Sequence, residues 1–172
     1  MANWTNRHRG DYVRMIKRHR ALWAYITQFI KDHDITSVIE VGCGMVPEVR
    51  GLVETYVGVD LNEQTDAIHE DFTLMDVSPL TGYDLFLACA VIEHCQDAAV
   101  FFKQIKAMNP KHAIVTFFGA TDREEELKTT QGGGFLFHGY TRAGIKQTLE
   151  SLGMAYELFR LKNDDVLIIK GE

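Results

Sequence analysis

Two spacings of hydrophobic and polar positions run along this chain. Tyr12, Met15, Ile16, His19, Leu22, Trp23, Ile26, Phe29 and Ile30 recur at helical spacing, which predicts an amphipathic helix over 11–33. Short, continuous apolar runs follow, of the length of buried strands. They predict strands over 36–41, 55–60, 71–76, 83–89, 111–118, 154–161 and 164–170, with helices over 48–54, 97–108 and 141–152. Strands alternating with helices imply an α/β fold, a doubly wound, mostly parallel sheet with helices on both faces. Asn163-Asp164 reads as a tight turn, so the last two strands are expected to pair antiparallel. With no internal repeat and no linker, residues 1–172 are expected to form one domain.

Candidate chemistry concentrates between residues 38 and 60, which read as strand, glycine turn, short helix, strand, acid. Gly42 and Gly44 let the backbone turn and approach a ligand with no Cβ in the way. Pro47 suits the first turn of the following helix. Asp60 can offer two carboxylate oxygens to the vicinal hydroxyls of a ribose. A dinucleotide-binding turn wants a third glycine, but Met45, Val46 and Pro47 follow Gly44 here. Glu40, inside the first strand, would repel a phosphate yet suits an ammonium or a sulfonium.

With Glu40 two residues before Gly42-Cys43-Gly44 and Asp60 closing the second strand, the chain resembles the class I S-adenosylmethionine-dependent methyltransferases. The resemblance continues through Phe72-Thr73-Leu74-Met75-Asp76-Val77-Ser78-Pro79-Leu80, which is similar to the family's third strand. Tyr83-Asp84-Leu85 through Ile92-Glu93-His94 is similar to its fourth strand and turn, in the pattern of the ubiquinone- and menaquinone-biosynthesis-type subgroup. His138-Gly139-Tyr140-Thr141 then leads a helix, as in that subgroup. Over roughly residues 36 to 170 the resemblance implies a seven-stranded sheet of order 3-2-1-4-5-7-6, the last strand antiparallel. It also implies S-adenosylmethionine as cofactor. Gly42, Cys43 and Gly44 would contact its methionine part, Glu40 its amino end, and Asp60, with Leu61 beside it, its ribose. Asp76 and the Val77 amide would read the adenine, while Ala88 and Cys89 would floor the cavity beneath the methyl group.

Three departures stand out. Val46 replaces a glycine frequent in the first motif, the stretch Leu61 to Asp71 is short, and helix 48–54 is abbreviated. They leave fewer residues to wrap an adenosine and keep two other readings open: a methyltransferase-fold binding or scaffold protein without activity, and a nicotinamide-dependent oxidoreductase.

Glu93 and His94 follow the fourth strand where an acceptor would approach, and His138 and Tyr140 lie near the next helix; these are the catalytic candidates. The same Glu-His pair could instead cap a helix or hold a loop. Adjacent Glu93, His94 and Cys95 do not readily converge on one ion, and Cys43, Cys89 and Cys95 lack paired Cys-x-x-Cys spacing, so no metal site is expected. The place after strand four reads Ala88-Cys89-Ala90-Val91 rather than the Pro-Pro-aromatic turn of amino-methylating DNA enzymes, and no Pro-Cys nucleophile is present. A small-molecule acceptor is the remaining expectation.

Charge changes the picture once more. Residues 1–31 hold seven basic side chains against Asp11 alone, a balance of +6, so with the chain at −6 the remainder carries −12. Such an arm is either the solvated face of a docked helix or an attractor of anions. An acidic small molecule fits better than nucleic acid, whose backbone the acidic body would repel. Hydrophobic residues make up 46% of the chain, and its longest apolar run, Leu85 to Ile92, is too short to span a bilayer. With no apolar leader at the start, a cytoplasmic protein is expected. The long connection 119–138, with Gly132-Gly133-Gly134, is expected to be a substrate lid at the carboxyl edge.

Overall fold

The computed structural model describes residues 19–44, 47–63, 65–117, 128–131, 135–162 and 164–171. Its elements are α1 (Arg20–Asp32), β1 (Ser37–Val41), β2 (Thr55–Val59), β3 (Leu85–Cys89), α2 (Ala98–Met108) and β4 (His112–Phe117). There follow β5 (Lys128–Gln131), β6 (Phe135–His138), α3 (Arg142–Ser151), β7 (Tyr156–Leu161) and β8 (Asp164–Lys170). Six strands form one sheet in the order β2-β1-β3-β4-β8-β7. The first four run parallel, and β8 is antiparallel to both β4 and β7. This is the expected order with one edge strand missing.

Each strand of the centre is apolar on both sides because helices cover both faces. On one face Val38, Leu85, Leu87, Ile114, Val166 and Ile168 pack with Leu22, Ile26, Phe29 and Ile30 of α1. On the other, Ile39, Phe86, Val115 and Leu167 pack with Phe101, Phe102 and Ile105 of α2 and with Ile145 and Leu149 of α3. The helix ends follow local chemistry. Asp97 caps α2 by accepting from the Ala99 amide at 2.7 Å, and Thr141 caps α3 by accepting from the Gly144 amide at 3.0 Å. At the amino edge, Asp84 accepts from the amides and hydroxyls of both Thr36 and Ser37, tying β3 to the entry of β1.

Three expectations need correction. Residues 71–76 are a turn, not a strand. The Asp71 carboxylate accepts from the Thr73 amide at 2.8 Å and its hydroxyl at 2.7 Å, and its carbonyl takes the Leu74 and Met75 amides. Gln104 of α2 then donates to the carbonyls of Phe72 and Met75, satisfying acceptors that a ladder would otherwise use. What remains of an edge strand is one parallel bridge, Val59 to Ile68. Next, the helix over 48–54 is a single 3-10 turn, Arg50–Leu52, closed by the Leu52 amide on Val49. Last, the connection 119–138 contains a two-stranded antiparallel ribbon, β5–β6, with Lys128 opposite His138. Its Gly132-Gly133-Gly134 lies outside the described residues, as do Met45, Val46 and 1–18, which hold most of the basic arm. No helix among the described residues is long and apolar enough to cross a membrane.

Candidate cofactor and acceptor site at the carboxyl edge

Parallel strands of this kind present their carboxyl ends along one edge, and the predicted residues fall there. Behind β1 the chain bends through Gly42 at φ 70° and Gly44 at φ 62°, the left-handed region that a side chain disfavours. A Cβ on Gly42 would also lie 2.4 Å from Cγ2 of Val91. Val91 comes to rest there because Ala90 itself takes φ 54°, its amide reaching the Thr116 carbonyl at 3.1 Å and hydroxyl at 3.2 Å. The Val91 side chain past the tip of β3 therefore packs directly on the backbone of the bend, in space that a side chain at position 42 would need.

Asp60, one residue past β2, crosses to this bend. One carboxylate oxygen accepts from the Gly44 amide at 2.8 Å and the other from the Asn62 amide at 2.8 Å. Each oxygen keeps a lone pair for a further donor. Glu40 is 3% exposed, and its one hydrogen bond to a described residue comes from the Tyr56 hydroxyl at 2.7 Å. Burial pushes its pKa up to about 7 against the lowering effect of that hydrogen bond, with the nearby charges of Glu48 and Asp60 adding to the rise. A carboxylate buried without a basic partner among the described residues, beside an exposed glycine bend, is suited to receive a cation.

Cys43 is buried between them, its thiol pushed up to about 11 by burial and by Asp60 and Glu40. Ala88 is fully buried and Cys89 partly buried at the end of β3; burial raises the Cys89 thiol, and the Glu40, Asp164 and Glu93 carboxylates raise it further. Cys95 rises to about 12, chiefly by burial. All three thiols are therefore protonated and weakly reactive at neutral pH.

The adenine side is less enclosed than expected. Asp76 is exposed and lies in a turn rather than at a strand end, accepting from the Ser78 amide and hydroxyl, which lower its pKa. Val77 is buried, while Leu61 is 71% exposed.

After β3, Glu93 is buried and His94 exposed in the 3-10 turn Ile92–His94. The β6 strand packs against this turn, bringing His138 into its neighbourhood. His138 is 7% exposed and its Nε2 has no hydrogen-bond partner among the described residues. Its ring stacks on Tyr140 at 6.0 Å, whose hydroxyl donates to the Cys95 carbonyl at 2.8 Å. Glu93, His138 and Tyr140 thus gather on one side of the site, and His94 turns to solvent. Behind them Asp165, wholly buried, is held by Arg142 and Arg160, and Asp164 pairs with His19 at 2.9 Å.

Two contributions were not legible in the sequence. Tyr56 holds Glu40, and Thr116 fixes the strained Ala90. Tyr56-Val57-Gly58 reads only as strand until β2 is laid beside β1. A separate cavity of about 260 Å³ lies at the opposite, amino edge, lined by Tyr25, Phe29, His33, His112 and Lys170 among others; it contains none of the predicted residues.

The sheet order and the helices on both its faces are the fold of the class I S-adenosylmethionine-dependent methyltransferases. Solved structures share it. A putative S-adenosylmethionine-dependent methyltransferase from Listeria monocytogenes superposes with TM-score 0.68 at 12% identity, covering 89% of this chain and 99% of that one. The 1,6-didemethyltoxoflavin-N1-methyltransferase of Burkholderia thailandensis, solved with its substrate and S-adenosylhomocysteine, gives 0.66 at 14% identity, covering 95% and 86%. Magnesium protoporphyrin IX methyltransferase from Synechocystis, solved with S-adenosylmethionine bound, gives 0.64 at 13%, covering 90% and 80%. No protein-family model matches the sequence, and no curated protein matches it.

Proposed function

We propose that this protein transfers a methyl group from S-adenosylmethionine to a small-molecule acceptor. The observation that carries the reading is Glu40: a buried carboxylate, unpaired with any described basic group, facing a glycine bend whose geometry excludes a Cβ. The residues present fit the cofactor. Gly42 and Gly44 would admit its methionine part, Glu40 would hold the ammonium, and Asp60 would accept from the ribose hydroxyls with the lone pairs its two amide contacts leave. Asp76 and Val77 would meet the adenine, with Leu61 covering it. Once bound, the cofactor supplies an electrophilic methyl on a sulfonium.

The chain's part is then alignment and exclusion of water. Ala88, Cys89 and Val91 would wall the methyl with groups that neither react nor ionise. An acceptor bearing a hydroxyl or N–H must shed a proton, and His138 Nε2, buried and without a hydrogen-bond partner among the described residues, would take it. Buried Glu93 would orient the acceptor or the imidazole, and His94 would stand at the mouth. The β5–β6 ribbon that delivers His138 would serve as the lid. The similarity of Ile92-Glu93-His94 to the quinone-biosynthesis-type enzymes supports that subgroup, and the weakly reactive thiols accord with a cytoplasmic setting. The basic charge of residues 1–31 supports an anionic acceptor.

The exposed Asp76 and missing edge strand favour a second reading, a binding protein that keeps the fold without transfer. Calorimetry with S-adenosylhomocysteine tests both. Binding that Asp60→Ala weakens at least tenfold supports the cofactor site, and S-adenosylhomocysteine release from S-adenosylmethionine with an acceptor separates enzyme from binder. No binding, and no effect of Asp60→Ala, would overturn the assignment.

A further inference from the structure

We infer that Tyr56 is a positioning residue that fixes the Glu40 carboxyl toward a cationic ligand group, and that Gly58 leaves the space for it to reach. The inference rests on the reading of Glu40 as the ammonium partner. In the parallel register Val38 lies beside Tyr56 and Glu40 beside Gly58, so Tyr56 and Gly58 face the same side of β2, two residues apart. The phenol must pass over position 58 to meet Glu40, which it does at 2.7 Å. A Cβ at position 58 would stand 2.7 Å from Cys43 Sγ, 3.3 Å from Ala67 Cβ and 3.4 Å from the Tyr56 hydroxyl. Any side chain there would push apart the thiol and the phenol that pack around Glu40.

The ring is fixed from outside as well. The Arg50 guanidinium lies 5.9 Å from the centroid of the Tyr56 ring and is itself pinned to Asp66 at 2.8 Å. Among the described residues the surroundings of Glu40 are otherwise acidic or weakly ionising: Glu48 and Asp60 from the chain flanking the bend, Cys43 within it, and Cys89 from β3. The Tyr56 hydroxyl is therefore the one described donor that favours the carboxylate. Burial and the proximity of Glu40 raise Tyr56's own pKa, so it stays a donor throughout the physiological range.

The test is the pH dependence of S-adenosylhomocysteine affinity in wild type, Tyr56→Phe, Glu40→Gln and the double variant, by calorimetry from pH 5.5 to 8.5, with circular dichroism to establish folding. In wild type the acidic limb should centre near Glu40's value of about 7, while loss of the proton from the ligand's own ammonium sets the alkaline limb. Tyr56→Phe should weaken binding on the order of tenfold at pH 7, the scale of one hydrogen bond to a charged group, and shift only the acidic limb upward. In the Glu40→Gln background, Tyr56→Phe should add no further loss. Equal affinity in wild type and Tyr56→Phe, or a uniform loss at every pH that persists without Glu40, would overturn the inference while leaving the cofactor assignment standing. Absence of binding in folded wild type would overturn both.

Discussion

Replacing Glu40 with glutamine isolates the cost of keeping a carboxylate buried for a ligand to find. The folded protein holds this proton to about pH 7, against 4.5 for the ordinary side chain. Between those values the native state binds more protons than the unfolded chain, so stability falls as pH rises. The penalty is absent below about pH 4.5 and fully developed above about 7. At about 1.4 kcal/mol per pH unit it amounts to about 3 kcal/mol. Glutamine never ionises, and its carbonyl can still accept from Tyr56. The variant should therefore match wild type in stability near pH 4.5 and exceed it by about 3 kcal/mol at pH 8, with all other titrations common to both proteins. Urea unfolding at several pH values measures this directly. In a domain of this size, thermal midpoints should separate by roughly 2–4 °C per kcal/mol. A stability difference that stays the same at pH 5 and pH 8 would refute the argument, because it would place Glu40's proton affinity at the same value in both states.

The other expectations concern separate parts of the structure. Gly42→Ala should lower stability by about 1–2 kcal/mol from its left-handed backbone alone, with the contact to Val91 adding to that and S-adenosylhomocysteine affinity falling in the same calorimetric experiment. Asp165→Asn should cost about 2 kcal/mol in urea unfolding, below the full cost of breaking a buried pair because Arg142 and Arg160 stay partly solvated. Gln104→Leu, which leaves the Phe72 and Met75 carbonyls without their donor, should cost about 1–2 kcal/mol, seen as a lower urea midpoint. His138→Gln should reduce methyl transfer about a hundredfold without altering S-adenosylhomocysteine affinity; a parallel loss of both would assign the residue to packing instead.

Local patterns carried most of the architecture. Apolar runs of strand length and the amphipathic spacing of residues 22 to 30 are properties of neighbouring residues, and all but one of those runs became the strand it implied. Gly42, Gly44 and Asp60 were legible for the same reason: a bend with two positive φ angles and an acid just past a strand are short-range features. Residues 71–76 have an apolar content that suits a strand equally well. Only the packing of Phe72 on Phe86 and Phe101, and the reach of Gln104 from α2, decided for a turn. Those partners lie up to 32 residues away, beyond any local pattern. The contact between Tyr56 and Glu40 likewise required β1 and β2 to be set in register, with Gly58 leaving the passage open. The sequence alone thus determined the central strands, the three helices and where the chain bends after β1, because backbone preference and hydrophobic period act over a few residues. Tertiary structure decided which edge strand was lost, which carboxylate was buried, and which hydroxyl attends it, because burial and hydrogen bonding between distant segments exist only once the sheet has formed.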